Sequence, residues 1–344
     1  MKKTILVTGG TGFIGSHTTV ELQAAGYDVV IIDNLSNSKA DVVDGIEKIS
    51  GIRPAFEEVD CCDYPKLEAV FQKYPGIEGI IHFAASKAVG ESVEQPLKYY
   101  ENNIVSLINL LKLMPKYNVK GIIFSSSCTV YGQPDPENLP VTENAPLKQA
   151  ESPYGNTKAI NEEIVQDFVK SGAPISAILL RYFNPIGAHP SALIGELPRG
   201  VPQNLVPFIT QTAAGVRECL SVFGDDYNTP DGSCLRDYID VVDLAKAHVV
   251  AIQRMIDDKC KEGYEIFNVG TGRAVSVLEL VNTFERVNEL KLNYKVAPRR
   301  PGDVVMIWAD TAHANEELGW KAERSLDDTL RSAWAWEKHV RGIE

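Results

Sequence analysis

The chain has 344 residues, enough for two domains of ordinary size or for one enlarged α/β domain. Hydrophobic residues make up 44% of it and charged residues 23%, a composition typical of a globular protein with a substantial core. No stretch approaches the roughly 18 consecutive apolar residues of a transmembrane helix, and the first apolar run is too short for a signal peptide. The sequence therefore predicts a cytoplasmic protein with no membrane partner.

The charge balance and the cysteines argue against nucleic-acid binding, a disulfide scaffold and a metal site. With 34 Lys and Arg against 46 Asp and Glu, the net charge of −12 predicts no nucleic-acid partner, because such binding relies on basic side chains that neutralise phosphates. A local basic pocket for a small phosphate ligand remains compatible with this charge. The six cysteines form no C-x-x-C pair and the six histidines show no ligand spacing, so we expect neither a disulfide scaffold nor a metal site. We expect the cysteines to be reduced, small core residues.

The first third of the chain alternates short apolar runs with helical patterns. The predicted strands are residues 4–8, 28–33, a segment ending near 59–60, 79–84 and 121–125, with helical or apolar-rich stretches at 18–22, 67–71 and 104–114. Continuous apolar strands separated by helices predict a parallel sheet that is covered on both faces. Because crossovers are right-handed, the expected fold is α/β, a doubly wound parallel sheet of the Rossmann type.

Beyond Arg181 the pattern becomes irregular. Prolines and glycines cluster over residues 185–207, and residues 225–232 are typical of an exposed turn. A helix over 241–255 and a strand over 264–269 resemble the elements of the first part, so we expect the chain to return there. A capping-box sequence at 276–279 opens a further helix, and helices are expected over 310–320 and 326–336.

A glycine-rich loop lies between the first predicted strand and the first helix. It satisfies G-x-G-x-x-G with Gly10, Gly12 and Gly15, and a wider spacing with Gly9. Glycines let the backbone approach a pyrophosphate closely, and the following helix N-terminus offers free N–H groups. Asp33 ends the second strand, where its carboxylate can accept hydrogen bonds from an adenosine ribose. No arginine follows Asp33 directly, so the sequence favours NAD over NADP.

A second motif predicts acid–base chemistry. Ser152 and Pro153 open a predicted helix that carries Tyr154 and Lys158 on one face. The ordinary pKa of a phenol, near 10, is too high for a base at neutral pH, and a nearby ammonium group lowers it. One hydroxyl of residues 125–127, at the end of the fifth strand, is placed to hold a substrate oxygen, because ligands bind beyond such strand ends.

With these motifs the chain resembles the extended short-chain dehydrogenase/reductases, and within them the branch of nucleotide-sugar 4-epimerases. The strings K-A-V-G-E-S and R-Y-F-N-P-x-G-A-H-P are specific to that branch. The resemblance runs nearly end to end, through residues 9–16, 33–34, 82–85, 87–92, 125–127, 130–132, 153–155, 180–185, 187–190, 236–238 and 297–300.

The resemblance implies interconversion of UDP-glucose and UDP-galactose by transient oxidation at C4 of the sugar, with tightly bound NAD. It assigns Tyr154 as the acid–base residue and Ser127 as the hydrogen-bond partner of the reacting O4. Lys158 would hold the nicotinamide ribose and, together with the cationic nicotinamide, lower the pKa of Tyr154. Residues 1–183 with 239–270 would form the NAD-binding Rossmann domain, and residues 184–238 with 271–344 a smaller mixed α/β domain that binds the UDP-sugar. A homodimer is also expected.

The same resemblance supplies the contact residues. The cofactor would contact Gly9, Gly12, Phe13, Ile14, Gly15, Asp33, Asn34, Asn37, Ser38, Asp60, Cys61, Phe83, Ala84, Lys87, Asn102, Tyr154, Lys158 and Phe183. The UDP-sugar would contact Lys87, Ser127, Tyr154, Asn184, Asn204, Leu205, Phe223, Arg236, Arg300, Asp303 and Ile307. Arginine suits the diphosphate because its donors form a fixed, permanently charged fork.

The chain departs from the family pattern at three positions. Cys61 and Cys128 replace other residues found in many relatives, and neither is expected to alter the chemistry. Ile307 aligns with a position beside the sugar that is Tyr in some epimerases and small in those accepting N-acetylated sugars. Because Ile is intermediate in size, acceptance of N-acetylated UDP-sugars stays open.

Two other functions are compatible with the same fold and cofactor. A sugar-nucleotide 4,6-dehydratase would need an Asp-Glu pair just after the strand-end hydroxyl, where this chain has Cys128 and Thr129. A non-catalytic NAD-sensing module would have no need of Ser127, Tyr154 and Lys158 together.

Overall fold

A seven-stranded sheet forms the centre of the structure, a computed structural model that describes residues 2–261, 263–300 and 303–344. The strands are, in chain order, β1 (Thr4–Thr8), β2 (Asp28–Asp33), β3 (Ala55–Glu58), β4 (Ile77–His82), β5 (Gly121–Ser127), β6 (Ser176–Tyr182), β7 (Asn184–Ile186), β8 (Leu220–Phe223), β9 (Leu235–Arg236), β10 (Tyr238–Asp240), β11 (Tyr264–Val269), β12 (Val275–Ser276), β13 (Tyr294–Ala297) and β14 (Met306–Ile307). The α-helices are α1 (Phe13–Ala24), α2 (Val42–Ser50), α3 (Tyr64–Lys73), α4 (Val89–Glu94), α5 (Pro96–Lys116), α6 (Pro153–Lys170), α7 (Leu205–Ala213), α8 (Val241–Ile256), α9 (Val277–Asn288) and α10 (Leu326–Arg341).

The large sheet has the order β3-β2-β1-β4-β5-β6-β11, and all its strand pairs are parallel. Successive side chains of a strand point to opposite faces, and both faces are apolar here. Ile5 and Val7 belong to one buried cluster, whereas Leu6 belongs to the other. The predicted doubly wound parallel sheet is confirmed.

The later part of the chain completes this sheet and adds smaller ones. As expected, β11 pairs with β6, and α8 packs against α1. Short sheets join β7 to β10, β8 to β13, and β9 to both β12 and β14. A third apolar cluster, around Ile209, Phe284 and Leu330, lies between α7, α9 and α10. The irregular segment that links β7 to α7 contacts α2 through Leu193 and the loop after β2 through Arg199.

Some local predictions need correction. The helix expected over residues 310–320 is wrong in extent, because helical structure covers only residues 312–318, in which Ala314–Leu318 form a π-helical turn. Asp310 is held in extended structure by its N–H, which donates to the carbonyl of Val141 at 2.7 Å. The last helix runs past residue 336 to Arg341. At the capping box, the Ser276 hydroxyl accepts from the Glu279 N–H at 2.9 Å, but the Glu279 carboxylate binds Arg273 instead of reaching back.

All six cysteines are free, as expected, but only Cys61, Cys128 and Cys234 are buried. The other three are half-buried, so the expectation of core positions is right for half of the set. Within the described residues, no helix is both long enough and apolar enough to cross a membrane.

Candidate active site

The glycine loop lies at the carboxyl end of β1, in the middle of the sheet. Gly9 has a φ of +69°, and a Cβ atom there would lie 2.8 Å from the backbone nitrogen of Ala84. A Cβ on Gly15 would overlap the backbone of Gly9. Gly12 caps α1 without a side-chain hydrogen bond, so the first N–H groups of α1, those of Phe13 and Ile14 among them, are left for a ligand. This cradle, which side chains would fill, fits the pyrophosphate of a dinucleotide.

The loop after β2 folds back onto the glycine loop. The Asp33 carboxylate accepts hydrogen bonds from the Leu35 N–H at 2.9 Å, the Ser38 hydroxyl at 3.0 Å and the Thr11 N–H at 3.3 Å. The side chains of Thr11 and Ser38 are themselves 2.7 Å apart. Asp33 therefore stands beside the glycine loop, where the sequence places the adenosine ribose.

The remaining predicted cofactor residues follow neighbouring strand ends. The Asn34 side chain donates to Asp60 at 3.0 Å, which joins the loops after β2 and β3. Asn37 is exposed between Asp33 and α2, Cys61 is buried after β3, and Phe83 is half-buried after β4. The further members of this set are Ala84, whose N–H donates to Thr8 at 3.2 Å, Asn102 on α5, and the buried Phe183 after β6.

The three predicted catalytic residues come from β5 and α6. Ser127 is the last residue of β5, and its hydroxyl accepts from the Thr129 N–H at 3.2 Å. Ser152 caps α6, accepting from the Gly155 N–H at 3.2 Å, and so places Tyr154 in the first turn. Lys158 is buried on the next turn.

The electrostatics of this trio differ from the prediction. Burial raises the pKa of Tyr154 above its ordinary value, the nearby Tyr182 acts in the same direction, and hydrogen bonding with Ser127 opposes them. Burial also lowers the pKa of Lys158 to about 8, against the attraction of Glu162. Burial therefore opposes the acidified phenol that the Tyr-Lys spacing predicts, because it penalises the charged forms of both side chains.

A buried ion pair joins α6 to β6, beside the strand that carries Ser127. The Arg181 guanidinium binds the Glu162 carboxylate at 2.6 Å, and both side chains are almost fully buried. Ser126 donates to the same carboxylate, and Arg181 also donates to the Tyr131 hydroxyl at 3.1 Å. Glu162 is one turn beyond Lys158 on α6, so this network connects α6 to β5 and β6.

The predicted diphosphate residues gather around one carboxylate. Asp303 lies 2.7 Å from Arg300 and 3.6 Å from Arg236, and it holds the two cations near each other. Arg300 also lies 5.7 Å from the centre of the Phe223 ring, which is 42% exposed. An exposed aromatic face beside paired arginines suits a nucleoside diphosphate.

The other predicted substrate residues lie around this group. Ile307 on β14 pairs with Arg236 and is buried in an apolar cluster with Cys128 and Phe183. Asn184 begins β7. The Asn204 side chain, just before Leu205 at the start of α7, donates to Glu196 at 2.7 Å.

A cavity of about 980 Å³ reaches the glycine loop at Thr11, Gly12 and Phe13. It extends towards α2 and α10, and its lining includes none of the three predicted catalytic residues. In the described part of the chain, no three His, Cys, Asp or Glu side chains gather as a ligand set for a metal ion.

The sequence reading missed residues that this geometry brings in. Glu196 accepts from Lys87 at 3.1 Å as well as from Asn204, although 109 residues separate it from Lys87. It lies in an irregular stretch with no periodicity that could have indicated it. Glu162 did carry a signal, because its spacing of one turn from Lys158 places both on one helix face.

The fold and this site define a dinucleotide-dependent enzyme of the Rossmann class. The family model described as GDP-mannose 4,6 dehydratase matches residues 6–333. A UDP-glucose 4-epimerase from Dictyostelium discoideum is 50% identical over 333 residues, which cover 97% of this chain and 95% of the relative. One from Bacillus subtilis is 50% identical over 341 residues, covering 99% and 98% of the two chains. The solved UDP-glucose 4-epimerase of Bifidobacterium longum in complex with NAD⁺ and UDP has a TM-score of 0.94 and 45% identity, covering 99% of this chain and 100% of that one. The chain belongs to the UDP-glucose 4-epimerases, within the family that this model describes.

Proposed function

We propose that the protein interconverts UDP-glucose and UDP-galactose with NAD as a tightly bound cofactor. The observation that carries the proposal is the convergence of Ser127, Tyr154 and Lys158 at the carboxyl ends of the strands, where the glycine loop also lies. When bound, NAD supplies the redox partner for carbon C4 of the sugar. Gly9, Gly12 and Gly15 would hold its pyrophosphate, and Asp33 its adenosine ribose.

The protein's own residues move the proton. Tyr154 takes the proton from the sugar O4 and returns it, while the Ser127 hydroxyl holds O4 in position. Burial raises the pKa of Tyr154, so the phenol needs added positive charge nearby to become a base. Lys158 supplies part of that charge, and a cationic nicotinamide would supply more.

The substrate end is built for a diphosphate and a base. Arg236 and Arg300 would bind the two phosphates, aligned by Asp303 between them. Phe223 would stack on the uracil, and Ile307 would border the sugar. Lys87, Asn184, Asn204 and Leu205 complete the proposed substrate set.

The position after Ser127 favours an epimerase over a dehydratase. Burial raises the pKa of the Cys128 thiol to about 12, so it remains neutral at physiological pH. Thr129 carries a neutral hydroxyl. Neither residue provides the carboxylate pair that elimination of water would use.

We also propose a homodimer and a cytoplasmic location. Val93 on α4 and Leu97 on α5 are 62% and 79% exposed, and the half-buried Ile104 and Ile108 continue the apolar stripe along α5. A second copy of the chain would cover this stripe. Leu97→Glu should then give a monomer in light scattering, whereas Leu147→Glu, at a loop residue that is 51% exposed, should not. A dimer that persists in Leu97→Glu would rule out this surface.

The division into two domains is likewise proposed. Residues 1–183 with 239–270 would form the NAD-binding domain, supported by the pairing of β11 with β6. Residues 184–238 with 271–344 would form the UDP-sugar-binding domain, supported by the separate apolar cluster around Phe284.

The test of the activity is conversion of UDP-galactose without added NAD. The expected product is UDP-glucose, detected with a coupled dehydrogenase, and its formation would support both the reaction and a retained cofactor. If no conversion occurs even with NAD supplied, the proposal fails. NAD binding without any turnover would then favour the sensing module.

A further inference from the structure

A short segment, residues 193–200, contacts the large sheet at two separate loops. At one end, the Arg199 guanidinium donates to the carbonyl oxygens of Ser36, at 3.2 Å, and Ser38. At the other end, the Glu196 carboxylate lies 3.1 Å from the ammonium group of Lys87. Ser36 and Ser38 belong to the loop after β2, whereas Lys87 belongs to the loop after β4.

The order of the strands fixes what lies between these contacts. β4 and β2 flank β1, so their carboxyl ends are two strand spacings apart, about 10 Å. Three residues of extended chain, the distance from Glu196 to Arg199, span about the same length. The segment therefore crosses the carboxyl end of β1, where the glycine loop lies.

The segment is itself held firmly. The Trp336 indole donates to the Glu196 carbonyl at 2.9 Å, and Arg217 donates to the Gly200 carbonyl at 3.0 Å. On the sheet side, a Cβ added to Gly45 of α2 would lie 2.8 Å from the Leu193 carbonyl oxygen. A supported segment that spans the groove can resist the escape of a ligand beneath it.

Arginine is well suited to this contact. Leu35, with a φ of 56°, turns the loop so that two nearby carbonyls face outward, and a guanidinium fork can donate to both at once. The same loop carries Asp33 and Ser38, which hydrogen-bond to each other at 3.0 Å beside the glycine loop. Arg199 thus holds the loop that is proposed to bind the adenosine ribose.

We propose that residues 193–200 close over the dinucleotide groove, and that Arg199 is a positioning residue that slows the release of NAD. This inference rests on the proposed cofactor site but not on the proposed substrate. Glu196 extends the same segment to Asn204, so the groove and the proposed UDP-sugar site share one element.

The test measures exchange of bound NAD for labelled NAD in the purified holoenzyme. Arg199→Met should exchange on the order of tenfold faster than the unmodified protein, because two hydrogen bonds from a charged donor are lost. Arg199→Lys, which can donate to one carbonyl, should exchange NAD at a rate between those of Arg199→Met and the unmodified protein. The control is Arg331→Met, a change of the same charge at an exposed residue of α10 that pairs only with Asp327 and Asp328 among the described residues. This control should exchange as the unmodified protein does.

Amide hydrogen exchange over residues 193–200 gives a second readout, for the unmodified holoenzyme and the variants. Bound NAD should slow amide exchange over this segment in the unmodified protein, and slow it less in Arg199→Met. Equal melting temperatures of the two proteins would show that the fold is intact. Equal NAD exchange in Arg199→Met and Arg331→Met would overturn the proposal, as would exchange over 193–200 that is insensitive to NAD. Failure of UDP-galactose conversion in the unmodified protein would refute the proposed reaction and leave this result standing.

Discussion

The ammonium nitrogen of Lys158 lies 2.5 Å from the carbonyl oxygen of Ser125 and 5.9 Å from the centre of the Tyr154 ring. The buried lysine thus ties α6 to the end of β5, the strand that carries Ser127. Its ammonium group stands over the face of the Tyr154 ring. This arrangement has consequences for stability as well as for turnover.

Lys158→Met should stabilise the cofactor-free protein at pH 7. The pKa of Lys158 is lowered from 10.5 to about 8, so the unfolded chain binds this proton more tightly than the folded protein does. The free-energy cost of burying the charged lysine is fully present below pH 8. It disappears as the pH rises to 10.5, where Lys158 is neutral in both the folded and the unfolded protein. Allowing for the lost bond to Ser125, the gain in unfolding free energy should be about 2 kcal/mol at pH 7.

Denaturant unfolding at several pH values measures this difference. The control is Lys170→Met, which removes an exposed lysine from the last turn of the same helix. A Lys158→Met protein that is less stable than the unmodified protein at pH 7, or a gain that grows with pH, would contradict the burial argument.

Tyr154→Phe should abolish turnover and leave NAD in place. Removing the acid–base group should lower kcat on the order of 10³-fold, whereas the glycine loop and Asp33 are untouched. Cofactor content after gel filtration and initial rates with UDP-galactose give the two readouts. Tyr100→Phe removes a nearby phenol that accepts from Asn156 at 2.8 Å, and it should retain activity. Survival of most activity in Tyr154→Phe would make the assignment wrong.

Asp303→Asn should weaken binding of the UDP-sugar more than it slows the reaction. The change removes the charge that holds Arg236 and Arg300 together, so KM should rise about tenfold with kcat nearly constant. Asp226→Asn is the matched control, because Asp226 pairs with Arg299 at 2.7 Å in an exposed position. Steady-state kinetics distinguish the two, and an equal effect of both variants would argue against a diphosphate site at Asp303.

Ile307→Ala should widen the range of sugars. Ile307 is 4% exposed in the cluster with Cys128 and Phe183, so truncation opens space where the sugar is proposed to lie. The ratio of kcat/KM for UDP-GalNAc to that for UDP-galactose should rise, and unfolding free energy should fall by about 2–4 kcal/mol. Ile307→Tyr should lower the ratio instead. Two variants with the same ratio as the unmodified protein would place Ile307 away from the sugar.

Much of the fold follows from patterns within short windows. The central strands of the large sheet carry apolar runs because both of its faces are buried, and β5 is buried at every residue, whereas the edge strand β3 has no buried residue. Glycines and Asp33 mark the ends of β1 and β2, so their placement beside one another also follows from the sequence. These features depend on neighbours along the chain or on the next strand.

Other features depend on contacts between residues that are too far apart in the sequence to lie in one short stretch. Arg199 meets Ser36 across 163 residues, and both lie in loops without periodicity. The pKa of Lys158 depends on how completely α6, β5 and Phe124 enclose its ammonium group, which the spacing from Tyr154 does not reveal. The half-formed capping box at Ser276 similarly depends on Arg273 competing for Glu279.

The place of β11 at the edge of the sheet has a consequence for biosynthesis. A chain that is still growing presents β6 as an unpaired edge, because its partner β11 is synthesised some eighty residues later, after the covering helix α8. At a translation rate of about 5–20 residues per second, this edge stays open for several seconds. The nascent protein is therefore most in need of chaperone protection after β6 emerges from the ribosome and before β11 does.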